Sequence, residues 1–212
     1  MRKPPRLYFS LRSPFSWMAV RLLEEHRPDA HELIEYIPFF EPDPQTMAAL
    51  TARGGEFHYV AMSKAKHLYI LSDTKRLAAK FGFPMKWPID TGDEWWELPH
   101  LAWIKAKELG IHREYYEAVM AARWGRGEDI CDRERLLTIC RAAGLDGATL
   151  VAAPDDPAMR EKGVEALMRV YEDDVFGVPY FTSGRHRFWG LDRLADFEAA
   201  LDQAPPATTS KE

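Results

Sequence analysis

The fold is decided by the stretch Arg6-Leu7-Tyr8-Phe9-Ser10-Leu11-Arg12-Ser13-Pro14-Phe15-Ser16-Trp17 near the start of the chain. Its first half, residues 6–11, places Leu7, Phe9 and Leu11 on one face and is predicted to be a β-strand. The pair Ser13-Pro14 then marks a helix start, because serine caps free amides and proline suits the first helical position. A helix is therefore predicted over residues 15–26.

Working outward, residues 33–40 (LIEYIPFF) are predicted to form a second strand. The strand, helix and strand together make a β-α-β unit and hence a parallel strand pair. Toward the other end of the chain, residues 178–182 and 187–189 flank a Ser-Gly-Arg turn, which predicts a β-hairpin. A closing helix is predicted over residues 191–201.

The middle of the chain is predicted to be almost entirely helical. The expected helices cover residues 61–81, 95–109, 113–124, 132–143 and about 157–172. Leu68, Leu71, Leu77 and Ala78 are expected among the apolar positions of the first of these. The predicted fold class is α/β, a thioredoxin-like β-α-β … β-β-α core with a helical insertion lobe. Residues 5–41 and 174–203 are assigned to the thioredoxin-like domain, 42–173 to the inserted helical domain, and 204–212 to a disordered tail.

Composition excludes several classes of function. The net charge is −5 with a pI of about 5.8, and no long basic run occurs, so nucleic acid is not an expected partner. No apolar run is long enough to cross a membrane. The basic N-terminus is followed by too few apolar residues for a signal peptide. We therefore expect a cytoplasmic protein with a small-molecule substrate.

The cysteines and histidines offer no redox pair and no metal site. Cys131 and Cys140 are spaced neither as CxxC nor as a metal-binding pattern. On one helix they would lie two to three turns apart, too far for an unstrained disulfide. They are expected to be buried as small hydrophobic residues. The seven histidines show no ligand spacing, so no metal is expected.

The turn Ser13-Pro14-Phe15-Ser16 lies where a thioredoxin fold carries its redox cysteines. There, helix amides and the helix dipole lower the pKa of a thiol. This chain keeps the form of a C-P-x-C turn without either sulfur, and a serine hydroxyl cannot exchange disulfides. It can hydrogen-bond to a thiolate that another molecule supplies, and glutathione is the natural candidate. The simpler alternative is that Ser13 is only an N-cap.

Two further segments could hold a peptide-like ligand. Val178-Pro179 is placed where thioredoxin-like proteins have a cis-proline facing the active turn, and the residue before it offers backbone groups to an extended ligand. A trans-proline at a strand edge is the alternative. Leu191 and Asp192 follow Gly190 at a helix start, which suits a γ-glutamyl group. Simple capping by Asp192 is the alternative there.

These motifs together resemble a known family. YFSLRSPFSW, FGVP and FWGLDRL occur in the order found in the glutathione-dependent 2-hydroxychromene-2-carboxylate isomerases and, more loosely, in kappa-class glutathione transferases. The pattern Lys66-x2-Tyr69-x3-Asp73-x2-Arg76-x5-Gly82-x-Pro84-x3-Pro88 and the run Trp124-Gly125-x-Gly127 also resemble family patterns. The resemblance covers residues 7 to about 201.

The resemblance implies a site and an activity. Ser13 would activate the thiol of glutathione, Val178 before cis Pro179 would bind its cysteinyl backbone, and Leu191 with Asp192 would hold its γ-glutamyl group. Substrate would be bordered, with less support, by Lys64 or Lys66 and by Trp124. The implied substrates are aromatic-derived acids, and a homodimer is possible because relatives commonly dimerise.

Two departures from the family keep alternatives open. The loop before the long helix usually offers an asparagine to glutathione, and this chain has Gly55 at the equivalent position. The family often has an acidic residue where this chain has Ser10. The alternatives to an isomerase are a kappa-like glutathione transferase and a non-catalytic thioredoxin-fold protein that binds glutathione or a peptide.

Overall fold

The computed structural model describes residues 3–59, 62–88 and 90–203. Within these ranges one sheet is formed by β1 (Arg6–Phe9), β2 (Glu35–Pro38), β3 (Tyr180–Ser183) and β4 (His186–Trp189). The strand order is β2-β1-β3-β4. β1 is parallel to β2, whereas the β1–β3 and β3–β4 pairs are antiparallel. The predicted β-α-β unit, β-hairpin and thioredoxin-like fold class are confirmed.

Burial of the strands follows their place in the sheet. All four residues of β1 are buried, because this strand has a neighbour on both edges and is covered on both faces. Leu7 is opposite Tyr36 on β2 and Phe181 on β3. β4 lies at one edge of the sheet and is largely exposed, whereas β2 at the other edge is mostly buried. The hydrophobic core therefore centres on β1, whose C-terminal end leads directly into the Ser13 turn.

The helices of the described residues account for most of the chain. They are α1 (Pro14–His26), α2 (Ala30–Leu33), α3 (Pro44–Ala52), α4 (Lys64–Lys80), α5 (Glu97–Glu108), α6 (His112–Met120), α7 (Arg133–Ala142), α8 (Gly147–Val151), α9 (Pro157–Glu172) and α10 (Leu194–Asp202). A π-helical segment, Ala121–Arg126, follows α6, and a 3-10 turn, Leu191–Arg193, precedes α10.

Capping residues explain where the predicted helices begin and end. The side chains of Ser13, Asp132 and Asp156 each accept a hydrogen bond from a backbone N–H in the first turn of their helices. Gly82 and Gly110 follow α4 and α5 in left-handed conformations, with φ of 69° and 73°. The helix starts and stops read from these residues were therefore close to those observed.

The structure corrects several predicted boundaries. α4 starts at Lys64 and not at residue 61, because the Ser63 side chain caps it. The helix predicted over residues 113–124 is α-helical only to Met120 and continues as the π-helical segment. β3 starts two residues after Val178. Leu68, expected on an apolar face, is 55% exposed.

Three helices were not predicted. α2 and α8 have four and five residues, too short to give a clear period. α3 has nine residues and does carry a start signal, since the Asp43 side chain accepts a hydrogen bond from Thr46 N–H and Pro44 takes the first helical position. In the sequence this signal lies close to Pro38 and Pro42, and closely spaced prolines also occur in loops.

The inserted helices pack directly on the sheet. The ring of Phe9 on β1 meets that of Trp103 on α5 edge-on at 4.9 Å. α9 packs against α3, α5 and β2. One large cluster of buried side chains includes residues of the strands, of α1 and of the insertion. The domain boundaries at residues 42 and 173 remain predictions, and the predicted tail lies outside the described residues.

Candidate active site

Ser13 is the N-cap of α1 and leaves its hydroxyl proton available. Its Oγ accepts a hydrogen bond from the backbone N–H of Ser16 at 3.1 Å, and Pro14 follows at the first helical position. A hydroxyl that accepts through its oxygen can still donate its proton. The free amides at the helix start also favour negative charge. Ser13 is partly exposed, so a ligand can reach it.

Ser16, the second serine of the turn, has a different role. It is fully buried, and its Oγ accepts a hydrogen bond from the backbone N–H of Ser10 at 3.2 Å. The Ser16 hydroxyl thus links the first turn of α1 to the backbone of Ser10, on the buried side of the turn. Of the two serines, only Ser13 is exposed enough for a ligand to reach it.

The peptide bond between Val178 and Pro179 is cis. The Pro179 carbonyl accepts a hydrogen bond from the N–H of Gly190 at 3.0 Å, which ties this segment to the residue that follows β4. Val178 and Ser13 line the same cavity. Two of the predicted ligand-binding segments, distant in the chain, are therefore brought together at one end of the sheet.

The cavity beside Ser13 is large and mainly apolar. Its volume of about 390 Å³ lies within the range of small-molecule sites. Its wall contains Ser10, Arg12, Ser13, Pro14, Phe15, Phe39, Phe40, Glu41, His58, Tyr59, Met62, Lys66, Ile70, Trp96, Phe176, Gly177, Val178 and Trp189. Aromatic rings with a few charged groups suit a planar, partly charged ligand.

Arg12 and Glu41 form an ion pair in the wall of the cavity. The guanidinium of Arg12 also lies over the ring of Trp96, 5.2 Å from its centroid. Burial raises the pKa of the Glu41 carboxyl, although the charge and hydrogen bond of Arg12 oppose the shift. The same three residues line a neighbouring, more open cavity, so the pair stands between the two spaces.

The two lysines predicted near the substrate are separated by the start of α4. Lys66 lines the cavity beside Ser13, together with Met62 and Ile70, which are four residues away on either side. Lys64 lines the neighbouring cavity. Only Lys66 therefore shares a cavity wall with Ser13.

Trp124 was expected near the substrate and lies elsewhere. Its side chain is 1% exposed and stacks on Trp17 of α1, with ring centroids 5.9 Å apart. It is absent from the walls of both cavities. The structure therefore assigns Trp124 to the core and corrects that expectation. The ring lies in the π-helical segment and is buried there, which the motif alone did not indicate.

Leu191 and Asp192 lie beyond the rim of the cavity. They form part of the 3-10 turn after Gly190, whose φ is 102°. The Asp192 side chain is 74% exposed and lies 3.6 Å from the guanidinium of Arg193. A Cβ on Gly190 would stand 2.6 Å from Asp192 Oδ1, so the glycine allows the carboxylate to fold back over it. Neighbouring Trp189 does line the cavity.

Gly55 cannot be replaced by asparagine without rearrangement. A Cβ there would lie 2.6 Å from both Leu50 Cδ1 and Met168 Sδ. Gly55 is buried against these side chains and is not part of the cavity wall. His58 and Tyr59 of the same loop do reach the cavity. They were missed by sequence reasoning, as were Glu41, Phe176 and Trp189, because nothing local in the sequence places them near Ser13.

The cysteines take no part in this site. Both are free and buried, and burial raises the pKa of Cys131, as it raises the pKa of Cys140 to about 11. Cys131 precedes α7 and Cys140 lies on it, and the predicted burial of both is confirmed. Within the described ranges, no three histidine, cysteine or acidic side chains are grouped closely enough to hold a metal ion. No helix in those ranges has the length and apolarity needed to cross a bilayer.

A sheet of order β2-β1-β3-β4 with a cis-proline directly before β3 is the arrangement of the thioredoxin class. Accordingly, the family model described as "DSBA-like thioredoxin domain" matches residues 6–202, and the chain belongs to that family. The expected resemblance to the isomerases is also confirmed. The chain is 28% identical to the 2-hydroxychromene-2-carboxylate isomerase of Sphingobium xenophagum over 95% of this chain and 99% of that protein.

Solved structures share the fold. A 2-hydroxychromene-2-carboxylate isomerase structure has a TM-score of 0.72 at 24% identity and covers 94% of each chain. The cytosolic disulfide reductase DsbM from Pseudomonas aeruginosa, solved with GSH, has a TM-score of 0.59 at 15% identity, covering 94% of this chain and 97% of that one. At these identities the two structures bear on the fold alone.

Proposed function

We propose that this protein is a glutathione-dependent isomerase of the 2-hydroxychromene-2-carboxylate isomerase type. The observation that carries the proposal is the Ser13 hydroxyl, which caps α1 and lines an aromatic cavity together with Val178, the residue before cis Pro179. Where a thiol oxidoreductase of this fold has cysteine, this chain offers only a hydrogen-bond donor. The similarity over nearly full length to an enzyme named as this isomerase supports the assignment.

When bound, glutathione would supply a thiolate that adds to an electron-poor double bond conjugated with a carbonyl and is later expelled. Ser13 would donate its hydroxyl proton in a hydrogen bond to the sulfur, since its oxygen already accepts from Ser16 N–H. The α1 amides would favour the charged sulfur and lower the pKa of the thiol. A larger fraction of the thiol is then reactive at working pH.

The backbone groups of Val178 would hold the cysteinyl part of the tripeptide in the manner of an added strand. Asp192, exposed beside Gly190, would pair with the γ-glutamyl amino group, and the amides near Leu191 would meet its carboxylate. No side chain at Gly55 contributes. Residues of the same loop that reach the cavity, His58 and Tyr59, are the candidates to replace the missing contact.

The remainder of the cavity would accept an aromatic-derived acid. Phe15, Trp96 and Trp189 offer ring faces to a planar substrate, and Arg12 and Lys66 offer positive charge to a carboxylate or a developing enolate. Arg12 is already paired with Glu41, so Lys66 is the freer counter-charge. Cytoplasmic location and a homodimer stay predictions of this proposal.

The test compares the wild type with Ser13→Ala by titration calorimetry with reduced glutathione and with S-methylglutathione. Saturable binding that either change weakens supports a thiolate at Ser13. The control is Asp132→Ala, which removes a helix cap far from the cavity and should leave glutathione binding unchanged. Full glutathione-dependent turnover by Ser13→Ala would refute the mechanism.

Gly55 favours one other candidate function. A protein that lacks a family contact to glutathione could bind the tripeptide or a peptide without turnover. In that case binding would be saturable, and chromene-type acids would not isomerise. A kappa-like transferase would instead consume free thiol in proportion to product, whereas an isomerase leaves the thiol concentration constant. Insulin reduction should be absent in every case, because neither buried cysteine reaches the cavity.

A further inference from the structure

The turn that carries Ser13 is held by a histidine of the inserted helices. His100, in the first turns of α5, is fully buried. Its Nε2 accepts a hydrogen bond from the backbone N–H of Leu11 at 3.0 Å and lies 3.3 Å from Ser10 Oγ. Leu11 and Ser10 lie between β1 and Ser13. The imidazole thus contacts the turn itself and not only its own helix.

The partners of His100 define its tautomer. Nδ1 lies 2.6 Å from the carbonyl oxygen of Trp96, and a carbonyl only accepts, so Nδ1 carries the proton. Nε2 is then the acceptor that the Leu11 N–H requires. The ring also stacks on Phe40, with centroids 5.3 Å apart. Both nitrogens are satisfied and the ring is fixed in orientation.

Ser10, which lies beside His100, is hydrogen-bonded to both Arg12 and Ser13. Its Oγ accepts a hydrogen bond from the N–H of Arg12 at 3.2 Å, and its carbonyl accepts from the N–H of Ser13 at 3.1 Å. Trp96 acts on the same turn, because its ring lies against the Arg12 guanidinium. A change at His100 therefore reaches Ser13 through two bonded residues.

We propose that His100 is a positioning residue that fixes the Ser10–Ser13 turn and thereby aims the Ser13 hydroxyl into the cavity. The functional half of this inference rests on the proposed function, in which that hydroxyl donates to a thiolate. His100 bonds the start of its own helix through Nδ1 and the Ser10–Ser13 turn through Nε2. The geometry of that turn sets the position of the Ser13 donor, and displacements of about 1 Å at such a group can cost about a hundredfold.

The first test needs no ligand. Amide hydrogen exchange is measured by NMR in the wild type, His100→Leu, His100→Gln and Tyr115→Phe. Tyr115 of α6 is a matched control. Its buried hydroxyl donates a hydrogen bond at 2.8 Å to the carbonyl of Pro99, which lies next to His100 on α5, and it does not contact the turn. We expect exchange at Leu11 and Ser13 to be at least about tenfold faster in His100→Leu. Glutamine, whose amide oxygen can accept, should restore part of the protection.

The second test follows the thiol. The pKa of the glutathione thiol in each complex is read from the ultraviolet absorbance of the thiolate. We expect it to rise by about one unit in His100→Leu, a tenfold smaller thiolate ratio. It should return toward the wild-type value in His100→Gln and stay unchanged in Tyr115→Phe.

The two readouts separate the possible failures. Unchanged exchange at Leu11 and Ser13 in His100→Leu would overturn the positioning role. Faster exchange with an unchanged thiol pKa would overturn its link to the thiolate. If the wild-type complex already has the pKa of free glutathione, the proposed function fails, and the exchange data alone decide whether His100 holds the turn.

Discussion

Two helices of this molecule begin with the same device and differ in everything around it. Ser13 caps α1 and Ser63 caps α4, each accepting a hydrogen bond from the backbone N–H three residues later, at 3.1 Å and 3.3 Å. Ser63 is exposed, and neither of the two cavities described above includes it in its wall. Ser13 faces Val178 across an aromatic cavity, and its turn is bonded to His100.

The comparison shows that a capped helix start is not by itself a site. Both starts have free amides and a hydroxyl, so both share the electrostatic preference for an anion. What distinguishes α1 is the segment placed opposite by the fold and the buried partner behind its turn. The following predictions test this distinction.

The largest effect is expected from Ser13→Ala compared with Ser63→Ala. A hydrogen bond to a charged group is worth about 1.5–3 kcal/mol, so kcat/KM with glutathione should fall by about 10- to 150-fold in Ser13→Ala. Ser63→Ala should keep wild-type kinetics, and each variant should lose about 1 kcal/mol of stability through its lost cap. Steady-state kinetics and urea unfolding measure the two effects. Equal loss of activity in both variants would mean that the caps act only through stability.

The next effect concerns the loop between α3 and α4, which contains Gly55. Gly55→Asn would introduce the asparagine that the resemblance to the isomerases leads us to expect here, but its Cβ would meet Leu50 and Met168 at 2.6 Å. Overpacking of this kind costs about 1–3 kcal/mol, which urea unfolding would detect. Gly54→Asn is the matched control, since a Cβ there meets nothing within 4 Å and asparagine tolerates the φ of 77°. A Gly55→Asn protein of wild-type stability that binds glutathione more tightly would contradict this packing.

The free energy of unfolding should depend on pH through His100, the buried histidine that bonds the turn before α1 and has no counterpart before α4. Burial lowers the pKa of His100 to about 3, with the nearby Arg123 adding to the shift and the hydrogen bond to Trp96 opposing it. An unfolded histidine titrates near 6.5. At a pH between these two pKa values, the unfolded chain holds a proton on His100 that the folded chain does not. The contribution of His100 to the free energy of unfolding is therefore greatest above about pH 6.5 and decreases as the pH is lowered.

That pH effect can be measured by urea unfolding. From about pH 7 to about pH 5.5 the free energy of unfolding should fall by about 1 kcal/mol through His100 alone. His100→Gln should be less stable at pH 7 and should lack this part of the pH dependence. His186→Gln is the control, because His186 is exposed on β4, away from the turn. An identical pH slope in wild type and His100→Gln would contradict the shift.

The smallest effect distinguishes the two lysines at the start of α4. Lys66 lines the cavity beside Ser13, and Lys64 lines the neighbouring one. Exposed ion pairs contribute about 0.2–1 kcal/mol, so Lys66→Ala should raise KM for a chromene-type acid by about 1.4- to fivefold. Lys64→Ala should change it less. The reverse order would place the substrate carboxylate in the neighbouring cavity.

Local signals predicted the parts of the fold that depend on neighbouring residues. Ser13-Pro14, Asp132 and Asp156-Pro157 marked helix starts because capping acts within one turn of chain. The same reasoning failed where contacts from elsewhere decide. Leu68 belongs to an apolar pattern and is exposed, whereas Trp124 belongs to a family motif and is buried in the core.

The sequence by itself determined the thioredoxin-like class, the serine in place of a reactive cysteine and the proline that follows Val178, since each is written in a short run of residues. Only the tertiary structure decided which groups meet at Ser13. His100 reaches the turn from 90 residues away, and His58, Trp96 and Trp189 converge on one cavity from three separate segments. Such meetings arise from the packing of helices on the sheet, and packing depends on contacts between segments that no local pattern encodes.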